Sequence, residues 1–179
     1  FVARINEDAK ETSYDLLIAA LPHLPNEVLF PLCGALENEP LPVALLDALI
    51  ALFKQNLATK TSENEDIVQV QQHLLRSLAS NCQHPHIEKL ISLLLQQQSV
   101  AAELLITLSG RCWLALQDKD NLMAFFEHLV ACEDQALFNS IFKDLVAIPA
   151  LRPIVFQCMR APERSEVLSK AIGQLFSQT

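Results

Sequence analysis

Apolar residues along this chain recur mostly at spacings of three and four, with few of the strict alternations that a half-buried strand requires. The periodicity is interrupted at LPHLPNE (21–27), ENEPLP (37–42), NCQHPH (81–86), AIPALRP (147–153) and RAPERS (160–165). Each stretch ends one apolar stripe and lets another begin. Proline lacks the N–H that a helix interior uses and disfavours helical backbone at the residue before it. The pattern predicts helices over about 7–21, 26–37, 41–57, 64–80, 85–97, 99–116, 119–132, 135–147, 151–160 and 164–177, with lengths and connections ordinary for helical proteins. In TSENEDIV, Ser62 and Glu65 fit a capping box, with Ile67, Val70, Leu74 and Leu78 as one stripe behind it. The acidic run there reads as a helix start, not as a carboxylate pair for acid-base work. The polar stretch 54–66 reads as a mobile loop.

A degenerate echo runs through the helices. VLFPL (28–32), LLRSL (74–78), LLITL (104–108) and LFNSI (137–141) share an apolar-apolar-x-x-apolar core, and the last three begin 30 and 33 residues apart. Such spacings are those of stacked helix pairs. The expectation is an all-α chain forming an irregular, HEAT-like α-solenoid, with a compact multi-helix bundle as the alternative. Residues 1–179 read as a single all-helical domain, and Phe1 in place of Met reads as a sign that it is the C-terminal part of a longer protein.

Apolar content is 51% and mean hydropathy +0.24, so membrane segments have to be weighed. The stretch 41–53 is too short to span about 30 Å of hydrocarbon and contains Asp47; the stretch 100–116 contains Glu103 and Arg111. Both read as helices buried on most sides, and no membrane association is expected. Five cysteines, Cys33, Cys82, Cys112, Cys132 and Cys158, are an odd number flanked by apolar residues. They suit free thiols in a reducing cytoplasm better than a disulfide framework.

Net charge is −8, from 13 basic and 21 acidic residues. Residues 1–90 carry 6 basic and 12 acidic side chains, and residues 91–179 carry 7 and 9. That balance speaks against nucleic-acid binding, which needs concentrated Lys and Arg. The one basic stretch, Arg152, Arg160 and Arg164 beside Glu163, reads as favourable charge at a helix end and in the following loop.

The segment NCQHPH sets Cys82, His84 and His86 at alternate positions, and alternate side chains of an extended segment can share a metal. Against this, no second Cys/His pair completes a zinc set, and His73 lies nine residues before Cys82, within the preceding helix. The other reading has Asn81 ending a helix, Cys82 entering the core and Pro85 opening the next helix. His23, His73, His84, His86 and His128 belong to no triad signature, and Gly34, Gly110 and Gly173 are too isolated for a phosphate-cradling loop. Trp113 reads as core on a central helix and Arg111 as its solvated or paired neighbour. Gly110 suggests a close helix contact, and Phe125, Phe126, Phe138, Phe142 and Phe156 read as core filler.

Residues 20–49, 102–116 and 138–176 resemble the C-terminal half of a gammaproteobacterial family known as domain of unknown function 3549, with LCGALENEP and APERSE the most distinctive stretches. The resemblance implies a bacterial cytoplasmic protein and supplies no catalytic residue. The residues and the resemblance together lead to the expectation of a non-enzymatic protein-protein interaction or scaffold module without a cofactor. Its partner would be another protein or the N-terminal region of its own chain. The alternative is a metal-binding regulatory protein using Cys82, His84 and His86.

Overall fold

A computed structural model of the chain describes residues 11–58 and 65–177. The described residues form ten α-helices and no strand. In order these are α1 Glu11–Ala20, α2 Asn26–Leu36, α3 Val43–Ala58, α4 Glu65–Ser77, α5 Pro85–Leu95, α6 Ala102–Arg111, α7 Lys119–Ala131, α8 Gln135–Ala147, α9 Arg152–Arg160 and α10 Glu166–Ser177. Short 3₁₀ turns occupy Leu21–His23, Ala79–Asn81 and Trp113–Gln117. The proline punctuation therefore locates the helices to within a few residues. The expected start at residue 7, the Ser62 half of the capping box and residues 59–64 of the expected loop lie outside the described residues, while 54–58 of that loop belong to α3 and Glu65 and Asp66 open α4. No described helix is long and apolar enough to cross a membrane.

One expected helix is two elements. Residues 99–116 were expected to be continuous, but α6 ends at Arg111. Cys112 leaves the helical region at φ −116° and ψ 25°, while its N–H still bonds the Leu108 carbonyl. Trp113 then opens the 3₁₀ turn and is half-buried there, not seated on a central helix. A close helix contact at Gly110 is also absent, since a Cβ built there meets nothing within 4 Å.

The Cα packing resolves two compact units, up to Leu90 and from Ile91 onward, dividing inside α5. In the first unit α4 packs against both α2 and α3, and α1 against α3. Leu29, Cys33 and Leu36 of α2 are buried, as are Leu45, Leu46, Leu49, Ile50 and Phe53 of α3 and Leu74 and Leu75 of α4. On α3 the exposed residues Ala44, Asp47, Ala51 and Lys54 occupy the opposite stripe, as an amphipathic helix requires. Polar bonds fix the helix ends. The Gln71 side-chain amide donates to the Asn56 carbonyl at 3.1 Å. Arg76 donates through Nε and Nη2 to Oε2 of Glu37, at 3.1 and 2.8 Å. Glu37 is almost wholly buried, and this guanidinium compensates its desolvation.

In the second unit α7 is the hub, packing against α6, α8, α9 and α10. Its buried Phe126 lies within 6.2 Å, ring centre to ring centre, of Phe125, Phe138 and Phe142. Three helices of this unit begin on side-chain caps. Asp118 accepts from the Asn121 N–H, Asp134 from the Leu137 N–H and Ser165 from the Leu168 N–H, each satisfying an amide that has no partner inside its helix. Within each unit the helix-pair packing is compatible with either a repeat or a bundle.

The corner between α7 and α8 is turned by Glu133 at φ 57°, with its N–H on the Val130 carbonyl at 3.1 Å. That left-handed position after a helix is where glycine is favoured, because a Cβ crowds the following carbonyl there. Replacing Glu133 by Gly is expected to raise stability by about 1 kcal/mol in urea unfolding. Glu133→Ala, which keeps the Cβ, should change it by less than about 0.5 kcal/mol.

Candidate functional site

The turn carrying NCQHPH is held by its own side chains. Asn81 donates through Nδ2 to the Glu39 carbonyl at 3.1 Å and accepts through Oδ1 from the Leu41 N–H at 3.2 Å. Ser80 donates to the same Glu39 carbonyl at 2.7 Å. The amide of Asn81 thus acts as a short piece of strand for the ENEPLP loop, satisfying backbone groups that proline-rich loops leave unpaired.

Cys82 is buried, and its thiol donates to the Leu78 carbonyl at 3.5 Å. Pro85 opens α5 at its first position, as expected. His84 stands just before it, and its ring Nδ1 accepts the His86 N–H at 3.3 Å, a capping bond. Nδ1 of His86 donates to Oδ1 of Asp47 on α3 at 2.6 Å, with both side chains about half exposed. The two imidazoles meet edge to face at 4.8 Å. His84 and His86 are therefore neighbours, while the Cys82 sulfur points into the core. Among the described residues no three His, Cys, Asp or Glu side chains are gathered so as to hold a metal ion.

The remaining histidines are dispersed. His23 is exposed in the first 3₁₀ turn. His128 bonds the Leu95 carbonyl through Nε2 at 2.8 Å, tying α7 to the end of α5. His73 stacks on Phe30 with ring centres 4.1 Å apart, and its buried Nδ1 has no hydrogen-bond partner. Burial, and then the Arg76 charge one turn away, hold its pKa below the usual imidazole value. None of the five cysteines is in a disulfide. Burial pushes the Cys33 thiol up to about 12 and that of Cys158 up to about 11, which keeps both protonated and weakly nucleophilic.

The basic stretch resolves into separate roles. Arg152 donates from Nε to the Val146 carbonyl at 2.9 Å, closing the end of α8. Arg164 donates to Ser169 at 2.8 Å, within the first turn of α10. Glu163 pairs with Lys119 at 2.7 Å across an exposed surface. The start of α10 is fixed by Glu127 of α7, whose Oε1 accepts the Ser165 N–H at 2.9 Å and whose Oε2 accepts the Ser165 hydroxyl at 2.6 Å. These contacts agree with helix-end charge and leave Arg160 exposed on the last turn of α9.

The aromatic expectations hold for Phe125, Phe126, Phe138 and Phe142, which are buried, and fail for Phe156, which is 40% exposed. The α9 sequence RPIVFQCMR buries Val155 and Cys158 and turns Arg152, Pro153, Phe156, Gln157 and Arg160 outward. Residues four apart share a helix face, so Arg152, Phe156 and Arg160 form one stripe. Phe156, Gln157, Arg160 and Pro153 line an open depression together with Lys119. The spacing R-x-x-x-F-x-x-x-R was readable in the sequence, and the apolar neighbours Ile154 and Val155 masked it. A second depression lies between the α7–α8 corner and α10, where Val130, Phe138 and Val167 meet Glu133 and Lys170. Its charges are of both signs, and the Gln135 amide reaches across to the Ala171 carbonyl at 3.3 Å.

A family described as "Protein of unknown function (DUF3549)" matches residues 1–176. No curated protein and no solved structure matches the chain.

Asn81→Ala should cost about 1–2 kcal/mol in chemical unfolding, because it strands the Leu41 N–H and leaves the Glu39 carbonyl to Ser80 alone. His84→Ala, removing one exposed capping bond, should cost less than about 1 kcal/mol. For His73 the sign follows from its lowered pKa. Below about pH 6.5 the unfolded chain takes up a proton that the folded chain resists, so stability falls as pH drops through that value. Melting temperatures measured between pH 7.5 and 5.5 should therefore decline less steeply for His73→Phe, which also keeps the stack on Phe30.

Proposed function

The chain belongs to the DUF3549 family, whose description assigns no activity, and from that premise we propose that it is a non-enzymatic protein-interaction module whose helices present a docking face to another protein. The observation that carries this reading is the outward stripe of α9. Phe156 stands 40% exposed on a helix whose inward side is already filled by Val155 and Cys158, with an arginine one turn to either side. Single exposed apolar residues are ordinary. An aromatic residue bracketed by arginines in a depression has the make-up of an interface hot spot, where Phe and Arg are enriched.

The same reading takes the helices as a degenerate HEAT-like repeat. VLFPL, LLITL and LFNSI fall on α2, α6 and α8 and LLRSL on the end of α4 and the residue after it, every second helix, the phase that stacked helix pairs would give. Cysteines that form no disulfide suit a reducing cytoplasmic setting.

A photo-crosslinking residue at the exposed position Gln157, compared with one at Lys143 on α8, tests the reading in cells that make the protein. A discrete protein adduct at 157 and not at 143 is expected. Equal labelling at both positions, or none at either, removes the support that α9 gives to an interaction role.

A further inference from the structure

We propose that the α9 stripe docks an acidic protein segment in which a large apolar side chain is bracketed by carboxylates, an inference that rests on the interaction reading above and names the partner's chemistry. The stripe carries only positive charge. No acidic residue occurs in Arg152–Arg160, although the chain as a whole is −8. An acidic chain that keeps a helix face free of acids, with two arginines around an exposed aromatic ring, has a surface complementary to carboxylates.

The groups on this face are differently committed. Arg152 donates from Nε to the Val146 carbonyl, which fixes the guanidinium at the end of α8 while the side chain stays exposed. Arg160 forms no ion pair among the described residues. Lys119, at the rim of the depression, already holds a carboxylate, that of Glu163, at 2.7 Å. Gln157 adds an uncharged donor and acceptor beside Phe156. The two arginines lie on the order of 12 Å apart along the axis, from the 1.5 Å rise per residue of an α-helix. On a partner helix that distance matches carboxylates eight residues apart with the apolar residue midway. Its side chain would cover Phe156 while each carboxylate meets a guanidinium in paired N–H···O bonds.

Nucleic acid fits this face less well. One of its three cations is already neutralised by Glu163, and the surrounding residues 91–179 carry 7 basic against 9 acidic side chains. Phosphate backbones demand a denser array.

The test is selection of a displayed random-peptide library on the intact chain, with counter-selection on Arg160→Glu. The best peptide is then labelled with fluorescein and titrated by anisotropy. Expected are peptides with two acidic positions bracketing Leu, Phe or Trp, bound about tenfold more weakly by Arg160→Glu and by Gln157→Glu, and weakened by added salt. Both substitutions are at exposed positions, and circular dichroism confirms that each variant stays folded. Enrichment of neutral or basic peptides, binding indifferent to both substitutions, or no enrichment at all overturns the acidic-segment proposal. Neutral apolar peptides whose binding is lost in Phe156→Ala but kept in Arg160→Glu would overturn it while leaving the interaction reading intact. Concentration-dependent self-association abolished by Gln157→Glu would overturn it in favour of a second copy of this chain. The crosslinking comparison at Gln157 and Lys143 reports on the interaction reading separately.

Discussion

The second unit depends on how fully α7 is committed. Its first turn is capped by Asp118, and its buried Asn121 takes the Ser92 hydroxyl at 2.8 Å. Phe125 and Phe126 supply the aromatic core, His128 reaches back to the end of α5, and Glu127 holds the start of α10 with two short bonds. A carboxylate accepting from both the amide and the hydroxyl of Ser165 is worth more than either bond alone, since charge-assisted bonds are about twice as strong as neutral ones. The Ser165 hydroxyl in turn accepts the Leu168 amide, so one carboxylate on α7 sets the direction in which α10 leaves. With α10 fixed by Glu127 and α8 by the ring contacts of Phe138 and Phe142, α9 is left with one buried side and one free side.

The first unit solves the same problem with different chemistry. Glu37 ends α2 almost out of water and is matched by Arg76 of α4. A buried carboxylate without that partner would be strongly destabilising, so the pair adds little net stability but penalises any other packing of α2 on α4. Arg76 also bears on its neighbour His73, disfavouring a second positive charge beside it. One guanidinium thus anchors Glu37 and adds to the burial that already disfavours protonation of His73.

Much of this was legible in the sequence, for identifiable reasons. Proline fixes helix ends by local sterics, and so Pro85 and the breaks near residues 25, 40 and 150 mark the elements well. The break at Cys112 was hidden because Leu104, Leu105, Leu108, Cys112, Ala115 and Leu116 are all buried at helical spacing straight through it, so the periodicity is the same whether the backbone continues or turns. The role of Asn81 was hidden because its partners lie about forty residues away. Phe156 was misjudged because residue type predicts burial only on average, and the deciding fact is which side of a short helix the neighbours cover. The question raised by Cys82, His84 and His86 turned on side-chain direction, which the alternate spacing suggested and the onset of α5 at Pro85 altered.

The side-chain bonds that tie these helices together close over similar distances along the chain. Ser92 to Asn121 spans 29 residues, Glu37 to Arg76 spans 39, Leu41 to Asn81 spans 40 and Lys119 to Glu163 spans 44. Each can form as soon as some four dozen residues are free to fold, without waiting for the rest of the polypeptide. Short loops close at low entropic cost, and topologies rich in local contacts fold quickly. On a ribosome, where synthesis adds about 5–20 residues per second, helices would be captured in the order they emerge. The apolar faces of α3 and α6 would then be covered within seconds of synthesis.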